Sequence, residues 1–125
     1  MTTESSNDGP RAEIVSATPA HVRELLAAGL CAEEVREIEA AGSTPAAVVE
    51  RSFANSTKAW TFLDGQGATV AMWGVAPWPN QPGVGVPWLA TTNDFRHYAL
   101  VAHRRAAEFI REMGREFPIL AGRAL

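Results

Sequence analysis

Apolar positions recur along this chain with two periods, and the change from one to the other falls near Lys58. Before it the spacing is helical. Val22, Leu25 and Leu26 share one face of a segment over residues 19–28, opened by Thr18-Pro19 and closed by Gly29. A threonine cap followed by proline starts a helix, and glycine tolerates the left-handed turn that ends one. Leu30, Val35, Ile38 and Ala41 mark a second helix closed by Gly42, whose other side is Glu33, Glu34, Arg36, Glu37 and Glu39, an acidic solvated face. Thr44-Pro45 repeats the start signal for a third, with Val48, Val49 and Phe53 inward and Asn55-Ser56-Thr57 at its end. A short β-rich run, residues 12–18, precedes all three.

After Lys58 the period becomes that of strands. Residues 58–64 (KAWTFLD) and 68–76 (ATVAMWGVA) flank the turn Gly65-Gln66-Gly67 and predict a hairpin, the second strand apolar enough to be covered on both faces. A rigid loop of Pro77, Pro79, Asn80, Pro82 and Gly83 leads to a third strand over 84–91. Pro87 cannot donate to a ladder, so that strand should lie at an edge or carry a bulge. From about Asp94 a long helix is predicted by Phe95, Tyr98, Ala102, Ala106, Phe109, Ile110, Met113 and Phe117. Asn93 or Asp94 would cap it, Arg104 would pair with Glu108 on its outer side, and Gly114 and Pro118 would end it before a last short strand at 119–121. Residues 1–11 read as a flexible tail, leaving one α/β domain over 12–125.

Composition narrows the function classes. The 125 residues, 46% of them hydrophobic, suffice for one core without disulfides or metals. A net charge of -3 argues against binding nucleic acid through its phosphates. No run approaches the roughly 20 apolar residues of a membrane span, and the polar N-terminus does not read as a secretion signal. The single Cys31 fits a reducing compartment.

Little in the chain looks like a prearranged catalytic set. His97 and His103 are six apart and face different ways on a helix, so they cannot share a metal unaided, and with His21 they read as surface residues. Cys31 begins a helix, where a thiolate is favoured, but no patterned histidine accompanies it. Asp64 and Asp94 each have a turn or cap explanation. Trp60, Trp73 and Trp88 fall on predicted strands as core or half-buried residues, whereas Trp78 lies between prolines and is the better contact residue. Gly83-Val84-Gly85-Val86 is no phosphate loop; its glycines suit close backbone approach.

The order of elements resembles that of acetyltransferases of the GNAT type. The segments AWTFLDGQGATVAMWGVAPW (59–78), GVGVPWLATTN (83–93) and REFPIL (115–120) look more narrowly like the GNAT-like phage proteins grouped with internal virion protein A of T7-type podoviruses, over about residues 12–121. The resemblance implies a GNAT-like fold, C-terminally short, with a mixed, mostly antiparallel sheet flanked by helices. It also implies a noncatalytic virion or assembly protein, found in the virion or the host cytoplasm. Such a protein would have no catalytic residue, cofactor or metal and would bind other virion or assembly proteins. Contacts would run through Trp78 and the last strand, Ile119 and Leu120, whose open edge invites self-association. A working GNAT protein follows its fourth strand with an (Arg/Gln)-x-x-Gly-x-(Gly/Ala) loop that holds the diphosphate of coenzyme A. Here residues 90–97 contain no glycine, and Asp94 puts a negative charge where the phosphates would lie. The alternative is an acyl-CoA-dependent N-acyltransferase using acetyl-CoA, with the backbone of Val86 and Trp88 aligning the pantetheine and Thr91, Thr92 and Asn93 replacing that loop. A third reading is a small regulatory domain binding a metabolite in the groove between the third-strand region and the last strand.

Overall fold

A computed structural model describes residues 12–121, so the expected tail over 1–11 and the last residues, 122–125, lie outside it. The chain opens with β1 (Glu13–Ser16) and continues through α1 (Pro19–Ala28), α2 (Ala32–Ala40) and α3 (Pro45–Asn55). Three strands follow, β2 (Lys58–Leu63), β3 (Thr69–Pro77) and β4 (Val84–Thr91), then a 3-10 helix (Asn93–Tyr98), α4 (Ala99–Glu116) and β5 (Ile119–Leu120). The sheet order is β1-β2-β3-β4-β5; the first four strands are antiparallel, and β5 joins β4 in parallel after the α4 crossover. This is the mixed, mostly antiparallel sheet expected.

Local chemistry sets the helix starts. The Thr18 hydroxyl accepts from the His21 N–H at 3.3 Å while His21 Nδ1 accepts from the Thr18 N–H at 3.1 Å, a capping box with an imidazole in place of the usual acid or amide. Thr44 caps α3 through its hydroxyl alone, which accepts from the Ala47 N–H at 3.1 Å. The predicted start of the long helix differs. Thr92 is the cap residue, but its hydroxyl donates to the Val70 carbonyl at 2.8 Å, and neither Asn93 nor Asp94 caps. The first turns are 3-10 rather than α because Phe95 and Tyr98 both pack on Phe62, with ring centroids 5.6 and 5.4 Å away. A 3-10 turn brings positions i and i+3 into line, which suits two rings meeting one partner. Nor does Gly114 end α4, which runs to Glu116 before Pro118. Arg105, not Arg104, pairs with Glu108, at 2.9 Å.

Strand alternation divides the core. Met72 and Ala90 meet Val22, Leu25, Leu30 and Val49 on the side of α1 and α3. On the opposite face Phe62 packs with Trp73, Phe95 and Tyr98, and Val75 packs with Met113 and Phe117. β3 is therefore covered on both sides, as its near-continuous apolar run requires. Gly85 lets α4's end close down: a Cβ there would stand 2.5 Å from Phe117 and 2.8 Å from Val75. Close approach, read from the sequence, is what this glycine serves.

Candidate functional site

Along β4, backbone groups of successive residues point to alternate edges. The carbonyls of Gly83 and Gly85 accept from the N–H groups of Ile119 and Ala121 at 3.1 and 2.8 Å, so odd-numbered residues face away from β3. Thr92, even-numbered, donates its N–H to Val70 on β3 at 3.0 Å, in agreement. β5 pairs with β4 only at Val84 and Gly85. Beyond that point the two strands part. The Pro87 carbonyl and the Leu89 N–H and carbonyl face this opened edge, where they have no partner among the described residues. Pro87 costs the ladder nothing here, because its missing N–H would also point to the open edge.

The far end of the same edge is occupied. Thr91 gives its N–H to Glu34 Oε1 at 3.1 Å, its hydroxyl bonds Glu34 Oε2, and its carbonyl accepts from the Cys31 N–H at 2.9 Å. Cys31 Sγ lies 3.6 Å from the same hydroxyl. The start of α2 thus straps the last residue of β4.

A cavity of about 260 Å³ lies between the sheet and α4, lined from Ile14 on β1 and Trp73 on β3 to Pro87 and Leu89 beside the open edge of β4. Pro87 and Leu89 form one wall, Ala99, Ala106 and Ile110 the other, and Trp73 and Met113 line it further. Alanines on the wall of α4 leave space that longer side chains would fill. Leu89 and Ile110 are each about half exposed, at 48% and 50%. Among the described residues, His103 is the one ionisable side chain lining this apolar groove.

A second cavity, of about 570 Å³, is lined by Ser16, Thr57, Lys58, Trp60, Glu108 and Glu112, and Phe109 borders both. Its charges are spent on one another: Lys58 Nζ lies 2.7 Å from Glu112 and 3.5 Å from Glu116, and Arg115 lies 3.1 Å from Glu112. The hydrogen bond to Glu112 holds the Lys58 ammonium above its usual pKa, and the same bond holds Glu112 below the usual carboxylate value. Among the described residues, no group of three or more His, Cys, Asp or Glu side chains could hold a metal ion.

The residues singled out from sequence fall in different places. Val86 and Trp88 turn their backbone groups toward β3, and the Trp88 indole donates to Ser56 Oγ at 2.6 Å. Thr91 is held by Glu34, Thr92 is buried against Val70, and Asn93 and Asp94 are exposed in the 3-10 helix. Trp78 is 39% exposed in its hairpin loop. In β5, the outermost strand described, Ile119 is exposed and Leu120 half-buried. Trp60, Trp73 and Trp88 are half-buried, as expected. Sequence reasoning missed Leu89 and Glu34. Strand parity relative to Pro87 could have singled out Leu89, whereas Glu34 is 57 residues from its partner and carries no local signal.

No family model matches the sequence, and a comparison with curated proteins returns no match. Solved structures do match. A GCN5-related N-acetyltransferase from Kribbella flavida superposes with a TM-score of 0.54 at 19% identity, covering 84% of this chain and 66% of that one. An acetyltransferase from Trypanosoma brucei gives 0.50 at 14% identity, covering 92% and 84%. The chain thus spans just under two thirds of the Kribbella protein. These matches correct the noncatalytic virion reading: both of these structures are acetyltransferases, and neither is a virion protein. The likeness is one of fold, and that fold is the GNAT acetyltransferase fold.

Proposed function

We propose that the groove beside β4 is the acyl-donor site of an acyl-CoA-dependent N-acyltransferase. The observation that carries this reading is the parting of β4 from β5, which leaves the Leu89 N–H and carbonyl and the Pro87 carbonyl facing an edge that opens on an apolar slot. A pantetheine arm has amides separated by short aliphatic stretches and can bond such an edge like an added strand. The arm therefore fits the residues present. When bound, its thioester supplies an electrophilic acyl carbon to an amine, which gains the acyl group as the thiol leaves. Leu89 and Pro87 orient the arm, and Ala99, Ala106 and Ile110 give its aliphatic stretches an apolar wall.

Leu89→Pro tests this directly. It deletes an N–H that points away from β3, so the β3–β4 ladder survives, while Leu89→Ala keeps the N–H. Titration calorimetry should give micromolar binding of acetyl-CoA to the native protein and to Leu89→Ala, weakened at least about tenfold in Leu89→Pro. No heat with the native protein at millimolar acetyl-CoA would overturn the proposal.

A further inference from the structure

The opened edge of β4 has two parts with opposite chemistry. At Leu89 the backbone is free, but two residues on, at Thr91, the donor N–H and the hydroxyl are both engaged by the Glu34 carboxylate and the carbonyl by Cys31. A donor lying along the edge toward the 3-10 helix would meet at this point a carboxylate already seated on the main-chain N–H that an incoming phosphate would need. Glu33 adjoins it on α2, and Asp94 follows in the first turn of the 3-10 helix. The Glu34 carboxylate thus stands where a diphosphate on this edge would bring its negative charge, and like charges at such a site repel.

On the acyl-transfer reading, we infer that recognition stops at the pantetheine arm: the donor class is an acyl-pantetheine thioester whose nucleotide diphosphate is not bound, and Glu34 is the residue that sets this specificity. Glu34 acts as an internal anion, satisfying the Thr91 N–H and hydroxyl in place of a ligand phosphate. The arm fits the groove and the diphosphate does not fit its exit. Arg96 and His97 sit exposed in the 3-10 helix, and capture of the phosphates by them is the competing outcome.

Calorimetry with two donors and two variants separates these cases. For the native protein, S-acetyl-pantetheine should bind within about threefold of acetyl-CoA. Glu34→Gln keeps hydrogen-bonding capacity without the charge, and Glu34→Ala vacates the Thr91 N–H. Each should raise affinity for acetyl-CoA about fivefold or more while leaving S-acetyl-pantetheine within about twofold. Circular dichroism checks that both variants fold, and Glu34→Gln alone suffices should Glu34→Ala not. Acetyl-CoA binding the native protein more than about threefold better than S-acetyl-pantetheine would overturn the inference and leave the acyltransferase reading standing. So would a gain at Glu34 that is absent or equal for both donors. Failure of both donors to bind the native protein would overturn the inference together with the reading beneath it.

Discussion

Single residues in this protein act mainly through what their backbone is allowed to do. Leu89 matters for an N–H that faces outward, Pro87 is tolerated because it lacks one on the same edge, and Gly85 matters for the Cβ it does not have. In Gly85→Ala the added methyl would stand 2.5 Å from the Phe117 ring and 2.8 Å from Val75, both in the core under α4. Overpacking of this kind costs about 1–3 kcal/mol. Thermal unfolding of Gly85→Ala should therefore fall by several degrees, and an unchanged melting temperature would mean that α4 can shift to make room.

At the scale of elements, the site is the result of two strands of unequal length. β5 has only two residues, and its pairing with β4 ends where β4 has six residues still to run. α4 then roofs the exposed side with short residues, Ala99, Ala102 and Ala106, where a core helix would ordinarily carry larger ones. Because Ala106 is exposed at the groove, a larger residue there fills the slot without crowding the core. Ala106→Phe should leave the fold intact by circular dichroism and weaken acetyl-CoA binding at least about tenfold. Undiminished binding would place the donor elsewhere. Much of this level was legible beforehand: the cap-then-proline starts at Thr18 and Thr44 and the hairpin around Gly65 to Gly67 stand in the structure. β4, however, is neither an edge strand nor bulged, and Pro87 is accommodated because β5 has parted from β4 at that point. The start of the long helix was not legible. Its 3-10 geometry depends on Phe62, more than thirty residues away, receiving two rings at once.

For the whole molecule, charge links the sheet to α4 through Lys58, Glu112 and Glu116, each about one third exposed. Hydrogen bonds to Lys58 and Arg105 hold Glu112 and Glu108 below the usual value of 4.5. A depressed carboxylate contributes stability that is complete above its unfolded value and lost as pH falls through the folded one. Lys58 is raised above 10.5 by Glu112, and Tyr98 above 10.0 by burial first and then by Asp64 and Asp94. Raised groups stabilise below their unfolded values, and that contribution is lost as pH climbs through the folded ones. Melting temperatures should thus be flat from about pH 5 to about pH 10 and fall on both sides. Glu112→Gln should shallow the acid limb and part of the alkaline limb together; identical limbs in native and variant protein would show that the Lys58 contact carries no stability.

The order of elements and their periodicity belong to the sequence itself, because capping, turn formation and amphipathic spacing depend on neighbours a few residues apart. From that order the mixed sheet and the GNAT-like scaffold could be anticipated. Tertiary structure alone decided which edge of β4 opens, that Val86 and Trp88 face inward while Leu89 faces out, and that Glu34 leaves its acidic helix face to hold Thr91. Those facts rest on strand register and on contacts between residues up to 57 positions apart, and no local pattern records either.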